Sequence, residues 1–177
     1  MKDFVQGIII RQERPADYEE IYALVKDAFA TADFSDGTEA DYLNEVRIKD
    51  TFIPELSLVA EATAGKLIGQ IVLYRTWIKT EYGALETLVL SPISVHPEYF
   101  RQGISRALVN RASQIAVHMG FASVFLCGDP VVYRKLGFVP SYSLNIYHVD
   151  DPKAEWCMGR ELIPDALTGI SGTINIV

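Results

Sequence analysis

The sequence predicts a mixed α/β (α+β) fold, with a central, mostly antiparallel sheet and helices on both of its faces. Three observations predict it. Short β-branched runs recur between glycine and proline turns, two longer segments repeat apolar residues at helical spacing, and a strand, helix, strand succession lies between residues 85 and 127. The chain has 177 residues, 49% of them apolar and 11% aromatic, enough for one core, so a single domain over residues 1–177 is expected.

Gly7 to Glu13 reads as the first strand. Asp17 with Glu20 three residues on has the form of a capping box, and Ile21, Leu24, Val25, Ala28 and Phe29 predict a helix over 18–29. A polar loop from Thr31 to Thr38 follows, then a second helix over 39–49 with Tyr42, Leu43, Val46 and Ile48 turned inward. The loop beside that helix is a candidate border of a substrate site. Leu56 to Glu61 and Leu67 to Lys79 form an antiparallel hairpin that turns at Gly65. After a second turn at Glu81, Tyr82 and Gly83 comes a strand over 85–90. Pro92 beyond it lacks the N–H that a ladder needs, so a bulge or a break in pairing is expected there.

Gly103 to His118 is strongly helical, with Ile104, Ala107, Leu108, Ala112, Ile115 and Ala116 on one stripe and Gly120 just past its end. Phe121 to Cys127 is an apolar strand, and the order of elements predicts parallel pairing through a right-handed crossover. Asp129 and Pro130 suit the N-cap and first position of a short helix that Gly137 ends. Strand-like pieces follow at Ser141 to His148, Trp156 to Glu161 and Gly172 to Val177.

Sixteen Lys plus Arg against 23 Asp plus Glu leave a net charge of -7. Such a balance argues against nucleic acid or an anionic membrane as partner, since both require a basic surface, and it permits a cationic substrate. Cys127 and Cys157 make no disulfide framework, and with the 3 histidines they show no metal-ligand spacing, so no metal is expected. Cys127, ending an apolar strand, reads as a small hydrophobe. The N-terminus carries Asp3 and a short apolar run stopped by Arg11, without the length of a span or a cleavage signature, and the expected location is the cytoplasm.

The informative segment is VHPEYFRQGISRALV, from Val95 to Val109. A strand ends near Val95, the chain turns through His96 and Pro97, and a helix begins near Gln102. Its first-turn amides have no acceptor within the helix, and with the helix dipole they make an anion site that needs no basic side chain. Gly103 has no Cβ, so a diphosphate can approach its backbone, while Ser105 offers a hydroxyl and Arg101 and Arg106 offer charge. No GxGxxG or GxxxxGK[ST] stretch occurs in the chain.

Phe100-Arg101-Gln102-Gly103-Ile104-Ser105 falls on the pattern Arg/Gln-x-x-Gly-x-Gly/Ala of the GCN5-related N-acetyltransferase (GNAT) family, which this chain resembles. FLCGDPVVYRKLGF, from Phe125 to Phe138, and GRELIPDALTGISGTI, from Gly159 to Ile174, look like a subgroup of predicted N-acetyltransferases of unknown substrate. Two positions depart from the pattern. Phe100 stands where the family has Arg or Gln, and Ser105 where it has Gly or Ala. The resemblance implies an acyl-CoA N-acyltransferase fold with acetyl-CoA as cosubstrate. It implies that the stretch Phe100, Arg101, Gln102, Gly103, Ile104, Ser105 and Arg106 holds the pyrophosphate, largely by backbone amides. It also implies that Ile93, Ser94 and Val95 present backbone groups to the acetyl and pantetheine arm.

Acetyl transfer to an amine needs a neutral amine, a polarised thioester carbonyl and a proton for the leaving thiolate. A phenol, with a pKa of about 10, stays protonated beside a thiol of about 8.5 and can serve as the acid. Tyr133, in Tyr-Arg-Lys-Leu-Gly-Phe, matches the family's Tyr-x-x-x-Gly-Phe. The resemblance implies that it lies near the sulfur, both catalytic and cofactor-binding. A backbone N–H at Val95 or Ile93 is the candidate oxyanion donor. Glu86 is the first candidate for a base, with Glu81, His96 and Asp129 as alternatives, and an amine of depressed pKa needs no strong base at all.

The expected reaction is therefore acetyl transfer to a small-molecule or peptide amine by direct attack in a ternary complex. The competing class is a non-catalytic acyl-CoA-binding or regulatory module, which would keep the Gly103 loop and lose the acid. Tyr133 speaks against it. The C-terminal strands suit exchange between two copies in a homodimer, an expectation at the level of the fold.

Overall fold

In the computed structural model, which describes Val5 and residues 7–177, the β-rich runs and the periodic segments take the expected forms. Asp3 lies outside the described residues. Contacts divide the chain into two units. One holds the residues up to Tyr74 with Ser91–Ile115, the other Arg75–Leu90 with Ala116–Val177.

The first unit begins with β1 (Ile8–Gln12), α1 (Tyr18–Phe29), α2 (Glu39–Arg47) and β2 (Ser57–Ala62). It continues into β3 (Leu67–Thr80), the end of β4 (Gly83–Val95) and most of α3 (Ile104–His118). β1, β2 and β3 pair antiparallel, with Ile10 opposite Ala60 and Ala60 opposite Gly69. Successive strand residues point to opposite faces. Val59 and Val72 join Ile21, Leu24 and Val25 of α1 and Leu43 and Val46 of α2 in one buried cluster. Ala60 and Gly69 turn the other way, and a Cβ on Gly69 would meet Ile104 and Leu108 of α3 at 3.1 Å. Helices therefore cover both faces of this part of the sheet. The missing side chain at Gly69 sets how closely α3 packs.

Arg47 at the end of α2 donates from Nε and Nη2 to the two carboxylate oxygens of Glu13, at 3.0 and 2.7 Å, and its guanidinium lies 4.0 Å from the Tyr18 ring centroid. Both partners of this ion pair are almost fully buried, so removal of either leaves an uncompensated charge. It ties α2 to the strand side of α1.

Two local expectations fail here. Asp17 and Glu20 do not form a capping box. Asp17 instead accepts two hydrogen bonds from Arg11 and one from the Arg14 amide, and Glu20 accepts from the amide of Leu67. A guanidinium and a distant strand amide outcompeted the local cap. Ile48 is 86% exposed rather than inward, because α2 ends at Arg47 and the chain leaves the helical stripe before reaching it.

The second unit carries the far end of β3, the start of β4, and then β5 (Ser123–Cys127) and α4 (Pro130–Arg134). β6 (Val139–Pro140), β7 (Ile146–His148), β8 (Cys157–Glu161) and β9 (Gly172–Ile174) complete it. β5 runs parallel to β4, with Leu88 opposite Val124, as the strand, helix, strand order requires. β8 pairs antiparallel with both β5 and β6, and β9 pairs antiparallel with β3 and parallel with β7. The fold is thus mixed α+β with a mixed, mostly antiparallel sheet. The stretch read as one strand over 141–148 is a single helical turn, Ser141–Leu144, followed by the short β7. Asn145, at φ 59°, makes the left-handed step between them that a polar side chain tolerates. Among the described residues no helix is long and apolar enough to cross a membrane.

Candidate active site

The chain from Ile93 to Arg106 belongs wholly to the first unit. At Pro92, where a bulge or a break in pairing was expected, β4 carries a cis Ser91–Pro92 peptide and continues as strand to Val95. Ser94 is buried and its hydroxyl accepts a hydrogen bond from Gln70 Nε2 at 3.1 Å, while Val95 is buried and Ile93 half-buried. The strand ends where the His96 amide donates to the Ile68 carbonyl at 2.8 Å. A single helical turn, Pro97–Tyr99, follows, with His96 Nδ1 accepting from the Glu98 amide.

Arg101 and Gly103 both take left-handed backbone conformations, at φ 62° and 80°. These two steps swing the chain into α3, whose ladder opens with the Ala107 amide donating to the Gly103 carbonyl at 3.0 Å. The amides of Ile104, Ser105 and Arg106 then form a first turn without acceptors inside the helix. A Cβ built on Gly103 would meet nothing within 4 Å, so the space beside this backbone is open. Arg101, Gln102, Gly103 and Arg106 are exposed, Phe100 is 50% exposed, and Gln102 Nε2 donates to the Glu98 carbonyl. Ile104 turns its side chain into the core against Gly69, which leaves only its amide for a ligand. The arrangement is a helix N-terminus preceded by left-handed turns, open to an anion.

Tyr133 and Glu86 belong to the second unit. Asp129 caps α4, its Oδ1 accepting from the Val131 amide at 2.8 Å, with Pro130 in the first turn. The Tyr133 carbonyl accepts from the amides of Leu136 and Phe138, so the chain closes tightly behind the tyrosine before Gly137 at φ 88°. The Tyr133 ring meets Phe138 edge to face, with centroids 6.0 Å apart. Burial, with a smaller contribution from the Asp129 carboxylate, pushes the phenol up to about 12. Glu86 is half-exposed on β4 and ion-paired with Arg75, whose Nε lies 2.5 Å from Glu86 Oε1, while the Arg75 guanidinium also sits 5.8 Å from the Phe121 ring.

Sequence reasoning missed Gly128. A Cβ there would lie 2.3 Å from Tyr133 Cε2, so this glycine leaves room for the ring. The only sequence signal was a glycine between an apolar strand and a capped helix. Gly128→Ala is expected to displace the ring and destabilise the protein by about 1–3 kcal/mol, the usual range for overpacking, measured by urea unfolding. An unchanged unfolding midpoint would show that the ring yields freely.

A cavity of about 410 Å³ opens between the end of α1 and the start of α2, lined among others by Lys26, Phe29, Ser35, Asp36 and Glu39. Thr38 donates to Asp36 from its hydroxyl at 2.5 Å and from its amide at 2.9 Å, and the hydroxyl bond above all holds the Asp36 carboxyl below the usual range. The loop flagged in the sequence thus borders a cavity with two carboxylates and one ammonium. Among the described residues no three His, Cys, Asp or Glu side chains gather as a metal centre would require.

These features can be set beside known proteins. The sequence model of the Acetyltransferase (GNAT) family matches residues 18–138. YhbS of Escherichia coli K12, named an uncharacterized N-acetyltransferase, is 30% identical over 175 residues, 95% of each chain. The crystal structure of E. coli YhbS in complex with CoA superposes with a TM-score of 0.79 at 26% identity, over 100% of this chain and 93% of that one. A GNAT family acetyltransferase from Brucella melitensis, in complex with acetyl-CoA, superposes at 0.66 and 30% identity, over 74% of this chain and 82% of the other. A family match across most of the chain, joined to an open helix N-terminus at its Gly103 motif, makes this protein a member of the GNAT family and an N-acetyltransferase.

Proposed function

We propose that the chain works as one domain over residues 1–177 and passes the acetyl group of acetyl-CoA directly to a small-molecule or peptide amine in a ternary complex. The observation that carries this reading is the pair of left-handed residues, Arg101 and Gly103, that opens the first-turn amides of α3. Amides from Gln102 to Arg106 hold the pyrophosphate, with Phe100 and Arg101 beside them, and Ile93, Ser94 and Val95 offer backbone groups to the pantetheine arm. The acceptor is cationic when free, in keeping with the acidic balance of the chain and with Asp36 and Glu39 in the cavity between α1 and α2.

In the reaction the neutral amine attacks the thioester carbonyl and the C–N bond forms. The amide of Val95 or Ile93 stabilises the oxyanion. As the C–S bond breaks, Tyr133 donates its hydroxyl hydrogen to the departing sulfur. The phenol at about 12 is a weaker acid than a free thiol at about 8.5, but burial raises a thiol too, and only the difference inside the site matters. Glu86 accepts the proton of the attacking amine. Its ion pair with Arg75 must open or pass the proton through water for that. To this reading belong a homodimer, suggested by the fold, and a cytoplasmic location, in keeping with a chain of 2 cysteines.

The test is release of the free CoA thiol from acetyl-CoA across a panel of amines, peptides and aminoglycosides. Turnover with at least one acceptor is expected. Tight acetyl-CoA binding with no release across the panel would favour a non-catalytic acyl-CoA-binding module.

A further inference from the structure

The antiparallel register of β5 and β8 sets Cys127 directly opposite Cys157, and these are the 2 cysteines of the chain. Opposed residues of an antiparallel pair project to the same face, with Cβ atoms about 4.5–5.5 Å apart. Their Cα separation, about 4.5 or 5.5 Å according to the kind of pair, lies inside the span of about 4.4–6.8 Å that a disulfide bridges. Both thiols are free. The Ser141 hydroxyl donates to Cys157 Sγ at 3.3 Å, and Cys127 Sγ lies 3.6 Å from the Ile176 carbonyl oxygen. Cys157 is fully buried and Cys127 is partly exposed, so Cys127 is the cysteine of the pair nearer to solvent.

We propose that Cys127 and Cys157 form a redox-active dithiol that closes to a disulfide between β5 and β8 on reaction with a peroxide. Neither cysteine has a part in the acetyl transfer described above. The partly exposed Cys127 sulfur attacks one peroxide oxygen, the O–O bond breaks, and water leaves with the thiol proton, giving a sulfenic acid. Cys157 Sγ then attacks the Cys127 sulfur. The S–S bond forms, the S–O bond breaks, and the hydroxyl leaves as a second water with the Cys157 proton. Two thiols lose two electrons and two protons, and the peroxide takes them up. The neighbouring Cys127, outweighing the opposing effect of burial and helped by the Ser141 hydroxyl, lowers Cys157 below the ordinary thiol value, which suits the sulfur that resolves the sulfenic acid. The contact with Cys157, together with burial, raises the Cys127 thiol, so its attack on the peroxide is the slow step of the pair. The bond would lie one residue before Gly128, at the root of the segment that carries Tyr133.

The reduced full-length chain is treated with hydrogen peroxide, denatured, alkylated with iodoacetamide and weighed intact. A monomer lighter by about 2 Da that takes up no alkyl group is expected, with both thiols restored by dithiothreitol. Cys157→Ser should abolish the internal bond and leave Cys127 to oxidise further. The proposal is overturned if the unmodified sequence gains about 32 Da at one cysteine, as a sulfinic acid would. Linkage of two chains, or retention of both alkylatable thiols, would overturn it equally.

Discussion

Replacing Tyr133 by phenylalanine is expected to lower kcat by about 10²–10⁴-fold, the range that a positioned acid contributes, with acetyl-CoA affinity nearly unchanged. The substitution keeps the ring and its edge-to-face contact with Phe138 and removes only the hydroxyl, so packing around α4 should survive. Thiol release gives kcat, and calorimetric titration with acetyl-CoA gives the affinity. An unchanged kcat would remove Tyr133 from the chemistry and leave it a packing residue. The pH profile adds an independent reading. The acid acts while protonated, and burial raises its pKa to about 12, so its contribution is lost only as pH climbs through that value. The kcat/KM profile, which reports the free enzyme, should rise through the pKa of the acceptor amine and show no falling limb centred near about 10, the ordinary phenol value. A falling limb there, abolished by Tyr133→Phe, would mean that the phenol is not buried in solution.

Gly103→Val is expected to weaken acetyl-CoA binding about 10-fold or more while leaving kcat at saturation close to its starting value. Two effects add. At φ 80° a residue with a Cβ is strained by about 1–2 kcal/mol, which pulls Gly103 away from the turn that opens α3. A branched side chain would also fill the open space beside the backbone, where an anion must come close to the amides. Affinity measured by titration decides the matter. Unchanged affinity would mean that the pyrophosphate lies elsewhere, and with it the reading of the Gly103 motif would fall. Thermal unfolding of the same variant separates loss of the site from loss of the fold.

Much of the path to these expectations was local and therefore legible in the sequence. The helix from Ile104 to His118 announced itself by its apolar stripe, and Asp129 with Pro130 announced the start of α4, since capping uses groups only a few residues apart. The Gly103 loop was legible for the same reason: one glycine before a periodic helix marks a backbone position that side chains avoid. The capping box at Asp17 and Glu20 was misread because its groups found better partners far along the chain, Arg11 and the amide of Leu67. Ile48 lies outside the core because α2 stops at Arg47, and apolar periodicity carries no signal for where a helix stops.

The family, the class of reaction and the glycine turn before α3 could be read from the chain alone, because each rests on short motifs and on spacing within one element. It took the folded arrangement to show that Gly128 makes room for Tyr133, that Arg75 occupies Glu86, that Gly69 admits α3, and that Cys127 faces Cys157. The physical reason is common to the last three. They depend on strand register and interlayer packing between residues well separated in the chain, and a shift of one residue in register would turn either cysteine to the other face of the sheet.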